Sequence, residues 1–118
     1  PYGVNVIAKR HVGYITDLTA DEKRDLAETL RLTAGTLDSL FGFKFPYMMC
    51  MHNAPVNVGD TSDYYHFHIE FFPPMRSADK IKFNASSETG AWAHCNPTAP
   101  EAKAEELRAA YERFKNAE

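Results

Sequence analysis

The stretch YYHFHIEFFPP, residues 64–74, carries the clearest structural signal in the chain. Aromatic and branched side chains dominate it and a proline pair ends it, so it is predicted to form a β-strand. Side chains alternate between the two faces of a strand, which places His66, His68 and Glu70 together on one face. The other face is apolar and predicts a core contact; it carries Tyr65, Phe67, Ile69 and Phe71.

The row of two histidines and a glutamate has three interpretations. With His52 from a predicted preceding strand, 46–54, it makes a donor set of imidazoles and carboxylate that suits zinc or ferrous iron. It also approaches the His-x-His-x-His pattern of the histidine triad superfamily, in which a strand histidine attacks a nucleotide phosphate, although Glu70 stands where a third histidine would be. The third interpretation is a polar sheet face that binds nothing.

The remaining elements predict an α+β fold with an antiparallel sheet and helices packed on one face. A first strand is expected over 4–8. A capping box at Thr19–Glu22 begins a helix that ends at Gly42, and a second capping box at Thr98–Glu101 begins a terminal helix. A short strand is expected over 81–83 and a loop over 84–90. Trp92 is expected in the core or at an interface.

Composition narrows the class of protein. The chain has 118 residues, which suits one domain. Its net charge is −3, so no excess of basic residues indicates nucleic-acid binding. No apolar run approaches the roughly 20 residues that span a membrane. Two cysteines without a Cys-x-x-Cys motif favour a reduced, cytoplasmic protein over a disulfide-linked one. Since no Met precedes Pro1, we expect the chain to be a piece of a longer protein.

The order of several motifs resembles the C-terminal half of the galactose-1-phosphate uridylyltransferase family over nearly the whole chain. The motifs are Phe45-Pro46-Tyr47, His52-Asn53-Ala54-Pro55, the histidine-rich strand with Pro73-Pro74, Lys82-Phe83 and Glu88. The resemblance implies that residues 1–118 form a histidine triad-like domain. It implies a dimeric cytoplasmic enzyme that moves UMP from UDP-glucose to galactose 1-phosphate, yielding UDP-galactose, through a uridylylated histidine. That histidine lies in a His-Pro-His motif of the N-terminal half, which this chain lacks.

The resemblance also assigns roles to residues. It implies a zinc or iron ligand at His52 and two more among His66, His68 and Glu70, with the choice of two left open. A further ligand, a glutamate, would come from the N-terminal half.

The resemblance implies a second set of residues, which contact the substrate. Lys82 would meet a phosphate of the UDP-sugar, and Phe83 and Glu88 would meet its hexose. Without the resemblance, a surface lysine, a core phenylalanine and a solvated glutamate are the alternative.

Two other functions remain open. One is a free-standing histidine-triad hydrolase or transferase that uses His66 or His68 as its nucleophile. The other is a non-catalytic metal-binding module.

Overall fold

A computed structural model describes residues 1–84 and 86–117. It contains the predicted strand, helix, strand, strand, helix. Between the last two of these lie one further strand, the expected short strand and a short helix. A single 3₁₀ turn, Ile15–Asp17, precedes the first helix. In chain order the elements are β1 Val4–Ile7, α1 Ala20–Phe41, β2 Met48–His52, β3 His68–Phe72, β4 Met75–Ser77, β5 Lys80–Ile81, α2 Ser87–Ala91 and α3 Pro100–Asn116.

The main sheet has the order β1-β3-β2, and both pairings are antiparallel. The central strand is therefore the one that carries the histidine-rich sequence. Its regular part begins at His68, later than predicted, because His66 forms an isolated parallel bridge with Val12. β4 and β5 form a separate hairpin. The predicted antiparallel α+β fold is confirmed.

The core lies between the inner face of the sheet and the two long helices. Phe67, Ile69 and Phe71 are at most 2% exposed, as the alternation predicts, and they meet Leu37 of α1 and Ala110 of α3, both fully buried. At roughly 25 cal/mol per Å² of apolar surface, this layer is the main source of the stability of the fold.

The fourth residue of the predicted apolar face behaves differently. Tyr65 precedes the regular strand and is half-buried, and its hydroxyl donates hydrogen bonds to the carbonyl oxygens of His52 and Asn53. These hydrogen bonds therefore connect the end of β2 to the residues that precede β3.

The ends of α1 are those predicted. Thr19 Oγ1 accepts from the Glu22 amide, and the Glu22 carboxylate accepts from the Thr19 amide. Gly42 ends the helix in the left-handed conformation, with φ 73°, which a glycine adopts without steric cost. None of the described helices combines the length and apolar character that crossing a bilayer requires.

The predicted capping box of α3 is wrong. Ala99, one residue after Thr98, is the N-cap, and its side chain makes no capping hydrogen bond. Thr98 donates from both its amide and its hydroxyl to the side-chain oxygen of Asn96. The helix instead begins after Ala99, with Pro100 in its first turn, where a missing amide hydrogen costs nothing.

The segment before α3 also differs from the prediction. The expected strand over 81–83 is Lys80–Ile81, and the expected loop contains α2, with Ala85 outside the described residues. Trp92 is the C-cap residue that follows α2, with φ 55°, and it is 86% exposed. It is therefore not a core residue.

Candidate functional site

Three ligand-type side chains meet on the outer face of the sheet. The register sets His52 directly opposite His68, and Glu70 lies two residues along the same face. One ligand atom from each lies within 4.8 Å of the others, and all three residues are half-buried. The alternation of side chains along two paired strands is sufficient to build this group, which we call the His52–His68–Glu70 group.

The two histidines of the group are held in defined orientations. Their rings stack with centroids 4.7 Å apart and planes 8° apart. His68 Nδ1 lies 2.9 Å from the carbonyl oxygen of His66. A carbonyl only accepts, so Nδ1 carries the proton and Nε2 of the neutral ring keeps its lone pair. This is the tautomer that can ligate a metal or attack an electrophile.

The Nε2 atom of His52 lacks a hydrogen-bond partner among the described residues. The atom is buried, and Glu70 Oε2 lies 3.1 Å away. The approach satisfies an ion-pair distance but not hydrogen-bond geometry. Two imidazoles and a carboxylate at these distances fit Zn²⁺ or Fe²⁺, which take such donors at about 2.0–2.2 Å.

His66 is not brought to this group. Its Nδ1 donates to the carbonyl oxygen of Ala8 at 2.6 Å, and its ring meets His11 edge-on with centroids 4.4 Å apart. The shared face predicted for residues 66, 68 and 70 assumed a regular strand, and the strand begins only at His68. Of the row predicted from the sequence, His68 and Glu70 therefore lie together and His66 lies apart. His66 instead contributes its carbonyl oxygen to the orientation of His68.

Lys82 and Glu88, the predicted substrate-facing residues, form an ion pair with each other. Their side chains are 20% and 7% exposed, and the Cys95 amide also donates to the Glu88 carboxylate at 3.2 Å. Phe83, between β5 and α2, is 77% exposed. The alternative of a core phenylalanine and a solvated glutamate is therefore wrong. A carboxylate this buried requires partners, and Lys82 and Cys95 supply them.

Sequence reasoning did not find two contributors to these sites. They are the carbonyl of His66, which orients His68, and the amide of Cys95, which binds Glu88. Both are backbone groups, which every residue type carries, so no residue pattern signals them.

The fold agrees with the comparisons with known proteins. Residues 1–117 match the family model described as galactose-1-phosphate uridyl transferase, C-terminal domain. The galactose-1-phosphate uridylyltransferase of Thermotoga maritima is 45% identical over 108 residues, which is 92% of this chain and 34% of that protein. The enzyme of Rattus norvegicus is 38% identical over 111 residues, 92% of this chain and 29% of that protein.

Solved structures give the same result. A structure of uridylyltransferase superposes with a TM-score of 0.84 and 36% identity, covering 96% of this chain and 36% of that one. An ADP-glucose phosphorylase from Arabidopsis thaliana, with a TM-score of 0.76, 23% identity and coverage of 92% and 33%, shares the fold. The chain belongs to the family of galactose-1-phosphate uridylyltransferase C-terminal domains. It spans about a third of the length of the curated relatives that it matches.

Proposed function

We propose that this chain serves as the C-terminal domain of an enzyme that transfers UMP from UDP-glucose to galactose 1-phosphate. The observation that carries the proposal is the family match over residues 1–117. In the transfer, a histidine nitrogen bonds to the α-phosphorus and glucose 1-phosphate leaves; galactose 1-phosphate then takes the uridylyl group, forming UDP-galactose. The sequence contains no His-Pro-His, so we assign the nucleophile to residues outside it. We also propose that this enzyme is a cytoplasmic homodimer.

The His52–His68–Glu70 group would hold the metal ion of this domain, zinc or iron. Support comes from ligand atoms that lie within 4.8 Å of one another, from the lone pair of His68 Nε2 and from the buried His52 Nε2 without a hydrogen bond. A bound ion would supply positive charge between the carboxylate and the imidazoles. Because His52 lies on β2 and the other two on β3, the three side chains would join the strands at one point.

The second set of residues would contact the sugar nucleotide. Lys82 suits a phosphate as a point charge with three donors, and the Glu88 carboxylate suits sugar hydroxyls as an acceptor. Phe83 offers an exposed ring, 77% accessible, to the apolar face of a hexose. These roles are supported by the position of the three residues in the motif order of the family and by the contact between Lys82 and Glu88.

The test is an exchange assay on the natural protein that carries these residues. With UDP-glucose and galactose 1-phosphate together, we expect glucose 1-phosphate and UDP-galactose in equal amounts. Glu88→Gln should lower kcat/KM for UDP-glucose, whereas Glu106→Gln, which removes a carboxylate from a Lys–Glu pair on α3, should not. A protein that is folded but makes no UDP-galactose would contradict the proposal.

A free-standing histidine-triad enzyme is the second candidate, and one observation favours it. The carbonyl of His66 accepts from Nδ1 of His68, so in the neutral ring Nε2 carries the lone pair, which is the arrangement a nucleophilic histidine needs. In this reaction His68 Nε2 would bond to the α-phosphorus of a nucleotide and displace its leaving group.

Intact mass of the purified chain after incubation with UDP-glucose separates the two candidates. An added uridylyl mass that disappears in His68→Ala would establish the free-standing enzyme. An unmodified chain, when the natural protein becomes labelled under the same conditions, would place the nucleophile elsewhere.

A further inference from the structure

Lys82 and Glu88 face each other where the proposed function requires them to face a ligand. The lysine ammonium contacts the carboxylate, and the two side chains are 20% and 7% exposed. The same carboxylate accepts the Cys95 amide at 3.2 Å. One side chain of α2 thus connects the residue that follows β5 to the backbone that precedes α3.

Burial of this pair sets a condition for binding. A largely buried charge that loses its partner is strongly destabilised. A ligand can separate the pair only if it supplies an anion to Lys82 and hydrogen-bond donors to Glu88. A phosphate with an adjoining sugar provides both, whereas a phosphate alone leaves Glu88 without the lysine.

We propose that the Lys82–Glu88 ion pair is an internal competitor of the ligand: it closes this site in the free protein and opens only in exchange for a phosphate and a sugar together. The proposal rests on the proposed function, and it adds a selection step to it. Compounds with a phosphate but no hexose would bind weakly because they cannot pair both charges.

The surroundings of the pair show that polar contacts, and not apolar packing, hold this segment. Among the described residues of α2, only Glu88 is buried. Phe83 and Trp92, on either side of it, are 77% and 86% exposed. Ser86 and Trp92 also have positive φ angles of 51° and 55°, which are unfavourable for residues with a Cβ atom. A segment of this kind can rearrange when its polar contacts are exchanged.

The proposal makes a prediction of opposite sign for two ligands. In Glu88→Gln the side chain keeps an oxygen for the Cys95 amide but loses the negative charge that attracts the Lys82 ammonium. Binding of UDP should therefore tighten about tenfold, the order expected for one charge-assisted hydrogen bond. Binding of UDP-glucose should weaken, because the sugar loses its charged acceptor.

The experiment is isothermal titration calorimetry of the natural protein, which measures its affinity for UDP and for UDP-glucose. Four variants are compared with wild type: Glu88→Gln, Lys82→Met, the double variant, and Glu106→Gln as the matched removal of a carboxylate from another lysine. That control pair, Lys103–Glu106, lies on α3 with the lysine 19% exposed. In the Lys82→Met background, Glu88→Gln should no longer improve UDP binding, because the competition requires the lysine.

Each outcome of these titrations supports or overturns the proposed competition. Tighter UDP binding in Glu88→Gln that vanishes in the Lys82→Met background establishes the competitor. Weaker UDP-glucose binding with unchanged or weaker UDP binding overturns the competitor and leaves the proposed function standing. No change for either ligand in any variant overturns the proposed roles themselves. Should Glu88→Gln fail to fold, Glu88→Asp weakens the contact with Lys82 by shortening the side chain by one methylene. UDP binding that tightens in Glu88→Asp, but not in the Lys82→Met background, supports the competitor, and unchanged UDP binding overturns it.

Discussion

The two faces of the central strand β3 differ in how deeply their side chains are buried. On the inner face Ile69 and Phe71 are 0% and 2% exposed. On the outer face His68 and Glu70 are half-buried, and Ile7, which lies opposite His68, is 57% exposed. The inner face is therefore determined by packing against the helices. The outer face is determined by which polar atoms the register brings together, and it is where a substitution should change chemistry more than stability.

The largest expected effect is the loss of inner packing. Ile69→Ala should lower the free energy of unfolding by about 3 kcal/mol, because it removes buried apolar atoms and leaves a cavity that helices α1 and α3 cannot fully close. Urea denaturation followed by far-UV circular dichroism measures the loss. Ile7→Ala makes the same change on the outer face and should cost about 0.5 kcal/mol. Equal losses from the two would remove the distinction between the faces.

A second substitution tests how far the packed layer extends into the helices. A Cβ atom at Gly35 of α1 would lie 2.3 Å from the ring of Phe114 on α3. Gly35→Ala should therefore destabilise by about 1–2 kcal/mol, as overpacking exceeds the gain in helix propensity. Thermal unfolding checks this, with Gly90→Ala as the control, since nothing lies within 4 Å of a Cβ there. A stabilised Gly35→Ala protein would show that the two helices separate easily.

The outer face is tested by His68→Ala. We expect the metal content to fall to background, because the ring supplies one of three donors, while the metal-free protein loses less than about 1 kcal/mol of stability. Metal per chain is measured by inductively coupled plasma mass spectrometry after loading with zinc or iron. His66→Ala is the matched control, since that ring lies outside the His52–His68–Glu70 group. Unchanged metal content in His68→Ala would remove it from the ligand set.

The smallest effect concerns an exposed contact at the start of α1. The Arg10 guanidinium, and then the Thr19 amide, lower the pKa of Glu22 from its ordinary value of 4.5 to about 2. A carboxyl whose pKa is lower in the folded state stabilises the fold above pH 4.5, and this stability is lost as the pH falls towards 2. Glu22→Gln should therefore make stability less steeply dependent on pH in that interval.

Urea midpoints between pH 5 and about pH 2 measure this dependence. Glu112→Gln, an exposed carboxyl on α3, controls for the change in net charge. Parallel pH curves for wild type and Glu22→Gln would show that solvent already screens the contact with Arg10.

Features that depend on near neighbours in the chain could be predicted. The capping box of α1, its stop at Gly42 and the buried face of residues 67–71 each arise from groups a few positions apart. The prediction of the second capping box was wrong because α3 begins one residue later, with Ala99 at its N-cap, and Thr98 donates to Asn96 outside the helix. Short-range prediction therefore fails where a residue can also make a local hydrogen bond outside the helix.

The positions of His66 and Glu88 could not be predicted. His66 leaves the regular strand because it bridges Val12, more than 50 residues earlier in the chain. Glu88 is buried because Lys82 and the Cys95 amide surround it, and one of those partners is a backbone group. Neither long-range pairing nor backbone contacts are encoded in the spacing of residue types.

The class of fold, the inner face of β3 and the candidates for ligand and substrate contact could all be predicted from side-chain alternation and the order of motifs. Which of these candidates lie together depends on the tertiary structure. It brought His52 to His68 and Glu70 through the β2–β3 register, set His66 apart, and paired Lys82 with Glu88. The physical reason is that contacts between distant segments depend on how strands pair and pack, and one residue of register changes the face to which every side chain points.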